Sequence, residues 1–91
     1  MKTFYRVHAQ FFTKCKNKPL AGLKEYKKNE QPKDQREVKY GIIGFFIWTD
    51  NKIAAKQLVK QILEERISLQ DMETVIYSQE NEFFDKQAEA A

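Results

Sequence analysis

The sequence predicts a two-layer α+β domain: a small, three-stranded and mostly antiparallel sheet with one main amphipathic helix, in the order strand, connection or short helix, strand, helix, strand. Three stretches of the 91 residues carry that expectation. Residues 3–14 alternate with a period of two, residues 38–49 are apolar on both faces, and residues 52–66 repeat apolar side chains at spacings of three and four.

In the first stretch Tyr5, Val7, Ala9 and Phe11 fall on one face and Arg6, His8 and Gln10 on the other, the pattern of a half-buried strand. Phe4 and Phe12 stand on the polar face near its two ends, a hint that this face is not fully exposed either. Residues 15–37 hold the punctuation, Asn17-Lys18-Pro19, Gly22 and Pro32. Pro19 to Lys28 is read as a short helix with Pro in its first turn, and residues 24–37 as a mobile basic connection, since Tyr26 is the one large ring there to anchor it.

Val38 to Thr49 is read as the central strand, with Val38, Tyr40, Ile42, Phe46 and Trp48 on one face and Ile43, Phe45 and Ile47 on the other. Gly41 and Gly44 leave gaps in it, where a bulge or a close neighbour fits. Thr49-Asp50-Asn51 supplies helix N-cap residues, and Ala55, Leu58, Val59, Ile62 and Leu63 form the apolar stripe of the helix that follows. Residues 72–80 are read as a third strand because Thr74, Val75, Ile76 and Tyr77 are β-branched or aromatic. The helix would link the second and third strands as a parallel crossover. The tail holds Phe83-Phe84, expected to be tied down, and a loose end from about residue 86.

Composition supports one folded domain over residues 1–91: the chain is 42% hydrophobic and 13% aromatic, with only 3 Gly and 2 Pro. Cys15 is the sole cysteine, which excludes a disulfide framework within the chain. The longest apolar run, Tyr40 to Trp48, is about half of what a membrane helix needs. Lys2 is followed by Thr3-Phe4-Tyr5-Arg6 rather than by the apolar run of a secretory signal, so a cytoplasmic location and no membrane partner are expected. Charge is uneven. Residues 1–40 carry 11 Lys+Arg against 4 Asp+Glu, a balance of +7, and residues 41–91 carry 5 against 9, a balance of −4.

The residues for catalysis are missing. A metal centre takes three or four converging ligands, and the chain has one His and one Cys, His8 and Cys15, placed at opposite faces or too far apart to chelate. His8 lacks a nucleophile to activate and is read as an ordinary strand residue. Cys15 lies among Lys14, Lys16 and Lys18, which favours its thiolate, yet is read as an incidental thiol. Gly41 and Gly44 belong to no phosphate-binding loop. The segment Gly44-Phe45-Phe46-Ile47-Trp48 lacks the Gly-aromatic-Gly-aromatic core with which RNA-recognition motifs stack bases, so its rings are assigned to core packing. No catalytic residue, cofactor or metal is expected.

The function expected is therefore that of a small, non-enzymatic interaction or regulatory module that binds another macromolecule, a protein first. A nucleic-acid-binding protein is the alternative, with Lys14, Lys16, Lys18, Lys24, Tyr26, Lys27 and Lys28 as its polyanion contact. A small enzyme with a site assembled at a dimer interface stands third. A homodimer is expected because one helix covers only one face of the central strand. Ile43, Phe45 and Ile47 are the self-association face proposed, with Tyr40, Ile42, Phe46 and Trp48 left bare if the helix takes the other side.

Overall fold

The first strand alternates as its sequence says, but it lies in a larger sheet than expected. The computed structural model describes residues 1–14 and 16–77. It contains four strands, β1 (Lys2–Phe12), β2 (Leu20–Lys28), β3 (Gln35–Lys39) and β4 (Ile42–Thr49), followed by the helices α1 (Lys52–Leu63) and α2 (Leu69–Tyr77). The sheet runs β2-β1-β4-β3, and every neighbouring pair is antiparallel. The α+β class stands; among the described residues three strands become four, one main helix becomes two, and no neighbouring pair is parallel.

Each difference has a local cause. The residues from 20 to 28 form a strand rather than a short helix because Ala21 and Leu23 alternate onto the core, opposite Ala9 and Val7 of β1. Pro19 immediately precedes this edge strand, where its missing N–H costs nothing. Lys24, Lys27 and Lys28 along the edge discourage a further strand from adding there. Residues 38–49 are not one strand, since Tyr40 (φ 51°) and Gly41 (φ 77°) both take the left-handed conformation between the paired residues Lys39 and Ile42. That is the two-residue hairpin turn whose twist matches its flanking strands.

The segment from Leu69 to Tyr77 is helical in spite of its β-branched residues. Ser68 and Asp71 cap it reciprocally: Asp71 N–H donates to Ser68 Oγ at 3.2 Å, and Ser68 N–H donates to Asp71 Oδ2 at 2.8 Å. Met72 and Val75 then meet the core one turn apart, and that burial outweighs a weak strand preference. Residues 78–80 of the strand expected there, Phe83, Phe84, the end from residue 86 and Cys15 all lie outside the described residues.

Both helices lie on one face of the sheet. Val7, Ala9 and Phe11 of β1 and Ile43, Phe45 and Ile47 of β4 pack there against Ala54, Ala55, Leu58 and Ile62 of α1 and Ile67, Met72 and Val75 of the α2 region. Asn51 caps α1, its Oδ1 accepting from Ala54 N–H at 3.0 Å, as the residue types at 49–51 led us to expect. Glu65 (φ 59°) ends it in a left-handed turn in which Arg66 N–H donates to Gln61 O at 2.9 Å. Arg36 of β3 reaches Glu73 of α2 at 2.9 Å, which ties the second helix to the sheet edge. Ile43, Phe45 and Ile47 are thus buried by the chain's own helices, and the self-association face expected there is not on the surface.

The strand order forces one long connection. β2 and β3 lie at opposite edges, so residues 29–34 must pass the ends of β1 and β4, about 14 Å, which six residues can span. On arrival Asp34 Oδ1 accepts from Trp48 N–H at 2.8 Å, and Gln31 Nε2 donates to Trp48 O at 3.3 Å. Side chains thereby finish the ladder where β3 stops. Of the stretch 24–37, residues 24–28 and 35–37 belong to strands and 29–34 are the connection proper.

Candidate functional site: the open face of the sheet

Cross-strand partners share a face, so the register identifies what the sheet presents on the side without helices. β1 contributes Phe4, Arg6, His8 and Gln10; β4 contributes Ile42, Gly44, Phe46 and Trp48. β2 adds Gly22, Lys24, Tyr26 and Lys28, and β3 adds Gln35, Glu37 and Lys39. The polar half of the β1 alternation is therefore a lined surface rather than a solvated one.

One end of this face is a tray of rings. Tyr26 and Trp48 meet edge to face with centroids 5.2 Å apart. The Arg6 guanidinium lies 5.0 Å from the Phe46 centroid, 5.2 Å from Tyr26 and 6.0 Å from Trp48. Lys24 stands 5.3 Å from the Tyr26 centroid and Lys28 5.2 Å from that of Trp48. Such contacts hold a cation in place over a ring without neutralising it. Phe4 and Trp48 are buried although they face away from the helices.

The other end is a groove of about 350 Å³. Gly44 sits in its wall between Gln10 on β1 and Glu37 on β3, and contributes no side chain to fill it. A Cβ added there would meet nothing closer than Ala9 O at 3.8 Å and Glu37 O at 3.9 Å, so neither space nor backbone conformation within the chain requires this glycine. Gly22 is different. His8 lies across it, and a Cβ at Gly22 would come within 2.5 Å of His8 Cε1 and Nε2. Arg6 and His8 both line the groove, and Arg6 Nε and His8 Nδ1 are buried without a hydrogen-bond partner. Leaving such an atom unpaired costs roughly 1–3 kcal/mol.

Tyr40 stands at the rim, 92% exposed, with Lys39 Nζ 5.7 Å from its ring centroid. A tyrosine in a left-handed turn carries strain that Asn or Gly would avoid, and its exposed ring recovers little of it by packing. The two shifted carboxyls lie away from the groove. Burial pushes the Asp34 carboxyl up, against the lowering effect of its bond from Trp48 N–H. The bonds from Ser68 hold Asp71 down.

The residues expected to form one polyanion contact do not come together. Lys24, Tyr26 and Lys28 share the open face, whereas Lys27 pairs with Thr3 on the helix side. Lys16 and Lys18 belong to the connection at the opposite end of β1, and Lys14 lies beside the Tyr40-Gly41 turn, its Cδ 3.3 Å from where a Gly41 Cβ would stand. The rings assigned to core packing divide as well: Phe45 is in the core, and Phe46 and Trp48 are on the open face. Sequence reasoning passed over Arg6, Gln10, Glu37 and Lys39; the signal available was the pair Phe4 and Phe12 flanking the polar positions of β1.

Among the described residues no three His, Cys, Asp or Glu side chains gather as metal ligands, and no helix is long and apolar enough to cross a membrane. No family model, curated protein or solved structure matches the chain.

Proposed function

We propose that this chain is a non-enzymatic binding module that takes another protein on the open face of its sheet, the partner presenting an acidic surface. The observation that carries the reading is the charge of that face. Lys2, Arg6, Lys24, Lys28 and Lys39 stand on it against Glu37 alone, with Lys2 partly neutralised by Asp50 at 2.8 Å. The helical layer is balanced, with Lys52, Lys56, Lys60 and Arg66 set against Glu64, Glu65, Asp71 and Glu73. A one-sided field of this kind steers an anionic partner and sets its orientation.

A nucleic-acid partner is the second reading, favoured by the cluster of Lys24, Tyr26, Lys28, Arg6 and Trp48. It ranks second because the rings of that cluster are engaged: Tyr26 and Trp48 pack on one another and carry cations, so neither offers a bare face for a base to stack on. The same charge excess opposes a homodimer through the open faces, since two copies would bring like charges together.

The test is capture from a nuclease-treated native extract by three immobilised proteins: wild type, K24E/K28E and K56E/K60E. All four lysines are exposed, so their reversal spares the core. The reading requires a protein held by wild type and by K56E/K60E and lost by K24E/K28E, more weakly held as salt rises. Retention by K24E/K28E, or loss on nuclease treatment alone, contradicts it.

A further inference from the structure

We infer that the open face is the seat of the chain's own C-terminal segment, residues 80–85 (Glu-Asn-Glu-Phe-Phe-Asp), with a phenyl ring in the groove beside Gly44 and the acids on the lysines around it. The inference rests on that face as the protein-binding surface and names its regulation, since the segment and an acidic partner compete for it. The charges are complementary. Residues 41–77 are nearly balanced, with five Asp+Glu against four Lys+Arg, whereas residues 78–91, outside the described residues, carry Glu80, Glu82, Asp85 and Glu89 against Lys86. The acidic excess of the second half of the chain therefore follows α2, and part of the basic excess of the first half stands on the open face as Lys24, Lys28 and Lys39. All three lysines are exposed, so a carboxylate reaches them without entering the sheet.

The groove suits the ring rather than the acids. Its volume of about 350 Å³ holds a phenyl group, Ile42 and Phe46 give that group an apolar wall, and Gly44 leaves the space between them bare. Glu37 lines the same groove and opposes a carboxylate inside it, which leaves Glu82 and Asp85, on either side of Phe83-Phe84, to the lysines outside. The chain also arrives on the correct side. The Arg36–Glu73 bond sets α2 beside β3, and β3 borders the groove through Glu37 and Lys39. Tyr77 ends α2 one turn after Glu73, and the six residues from there to Phe83 extend about 20 Å, twice the ~10 Å at which sheet layers pack. That is enough to round the edge at β3, whose five residues are all exposed. A tethered segment is present at millimolar effective concentration, so a weak contact suffices to fill the site.

The experiment compares amide spectra of the labelled full chain as wild type, F83S/F84S and E82K/D85K. Both variants are expected to move the Tyr40, Gly44 and Phe46 signals in the same direction and to leave Lys56 and Lys60 in place; E82K/D85K keeps both rings and serves if F83S/F84S fails to fold. A capped Glu-Asn-Glu-Phe-Phe-Asp peptide added to either variant should return those signals toward their wild-type positions saturably, and the same peptide with Ser for both Phe should not. The wild-type positions should be independent of protein concentration. Unmoved groove signals, changes centred on the helical layer, equal action of the Ser peptide, or wild-type positions that drift on dilution, as for a segment supplied by a second copy, would each overturn the inference. Capture of the native partner separates the two claims. F83S/F84S should hold more partner than wild type, because the face is no longer partly occupied, and equal capture counts against the inference. Loss of the partner in K24E/K28E with groove signals unmoved in the tail variants removes the segment and keeps the face as a partner site. Groove signals that move and return with the peptide, with no partner lost in K24E/K28E, keep the segment and remove the partner.

Discussion

The His8 imidazole lies across Gly22 so closely that a methyl group on that glycine would come within 2.5 Å of two of its ring atoms. β2 thus provides a bare backbone on which the β1 histidine rests, and that rest fixes the ring beside the groove. G22A should push the ring out. The expected result is a large change in the His8 imidazole shifts and a stability loss of about 1–3 kcal/mol from overpacking. Unchanged His8 signals in a folded G22A would show that the ring is not held this way.

Tyr40 sets stability against binding. Its φ of 51° favours Asn, and its ring is nearly all exposed. Y40N should therefore be as stable as wild type or up to about 1 kcal/mol more so in urea, while weakening capture of the partner. A clear loss of stability would mean that the ring supports the fold.

The two shifted carboxyls should act on stability with opposite signs. Asp34 has its folded pKa above its unfolded value, so its contribution is present below the unfolded pKa and is lost as pH rises through the folded one. D34N keeps an acceptor for Trp48 N–H without the buried charge, and its stability relative to wild type should rise with pH across the acid range. D34A leaves that N–H without its acceptor and should lose about 1–3 kcal/mol. Asp71, whose pKa is lowered, contributes above its unfolded pKa and loses that contribution as pH falls, so D71N should cost most at neutral pH. Urea midpoints at several pH values check both signs.

Self-association is the point on which the fold changes the expectation most. With Ile43, Phe45 and Ile47 under the helices and five cations on the face that remains, light scattering should give a monomer of 10.8 kDa at micromolar concentration and low salt. A dimer under those conditions would contradict the charge argument.

How much was legible in the sequence follows from what each element depends on. β1 and α1 announce themselves because one face of each is buried and the other is not, which is what a hydrophobic period records. β2 was hidden because it is an edge strand: its core face holds only Ala21 and Leu23, and the lysines that protect the edge read as a loop. α2 was misjudged on propensity, though Ser68 and Asp71 spelled out its cap. The hairpin at Tyr40-Gly41 was obscured because a tyrosine in a left-handed turn looks like a strand residue. Of the site, Lys24, Tyr26 and Lys28 were found by composition. Arg6, Glu37 and Lys39 join them only through the order β2-β1-β4-β3, which no local pattern encodes.

The central claim, that a partner docks on the open face, is tested most directly by amide shift mapping of the labelled chain with the purified partner. The account requires the largest changes at Arg6, His8, Gln10, Glu37, Gly44 and Phe46, with Lys56, Lys60 and Glu64 on the outer side of the helical layer unmoved. Changes centred on those three residues, with the sheet residues silent, would contradict it.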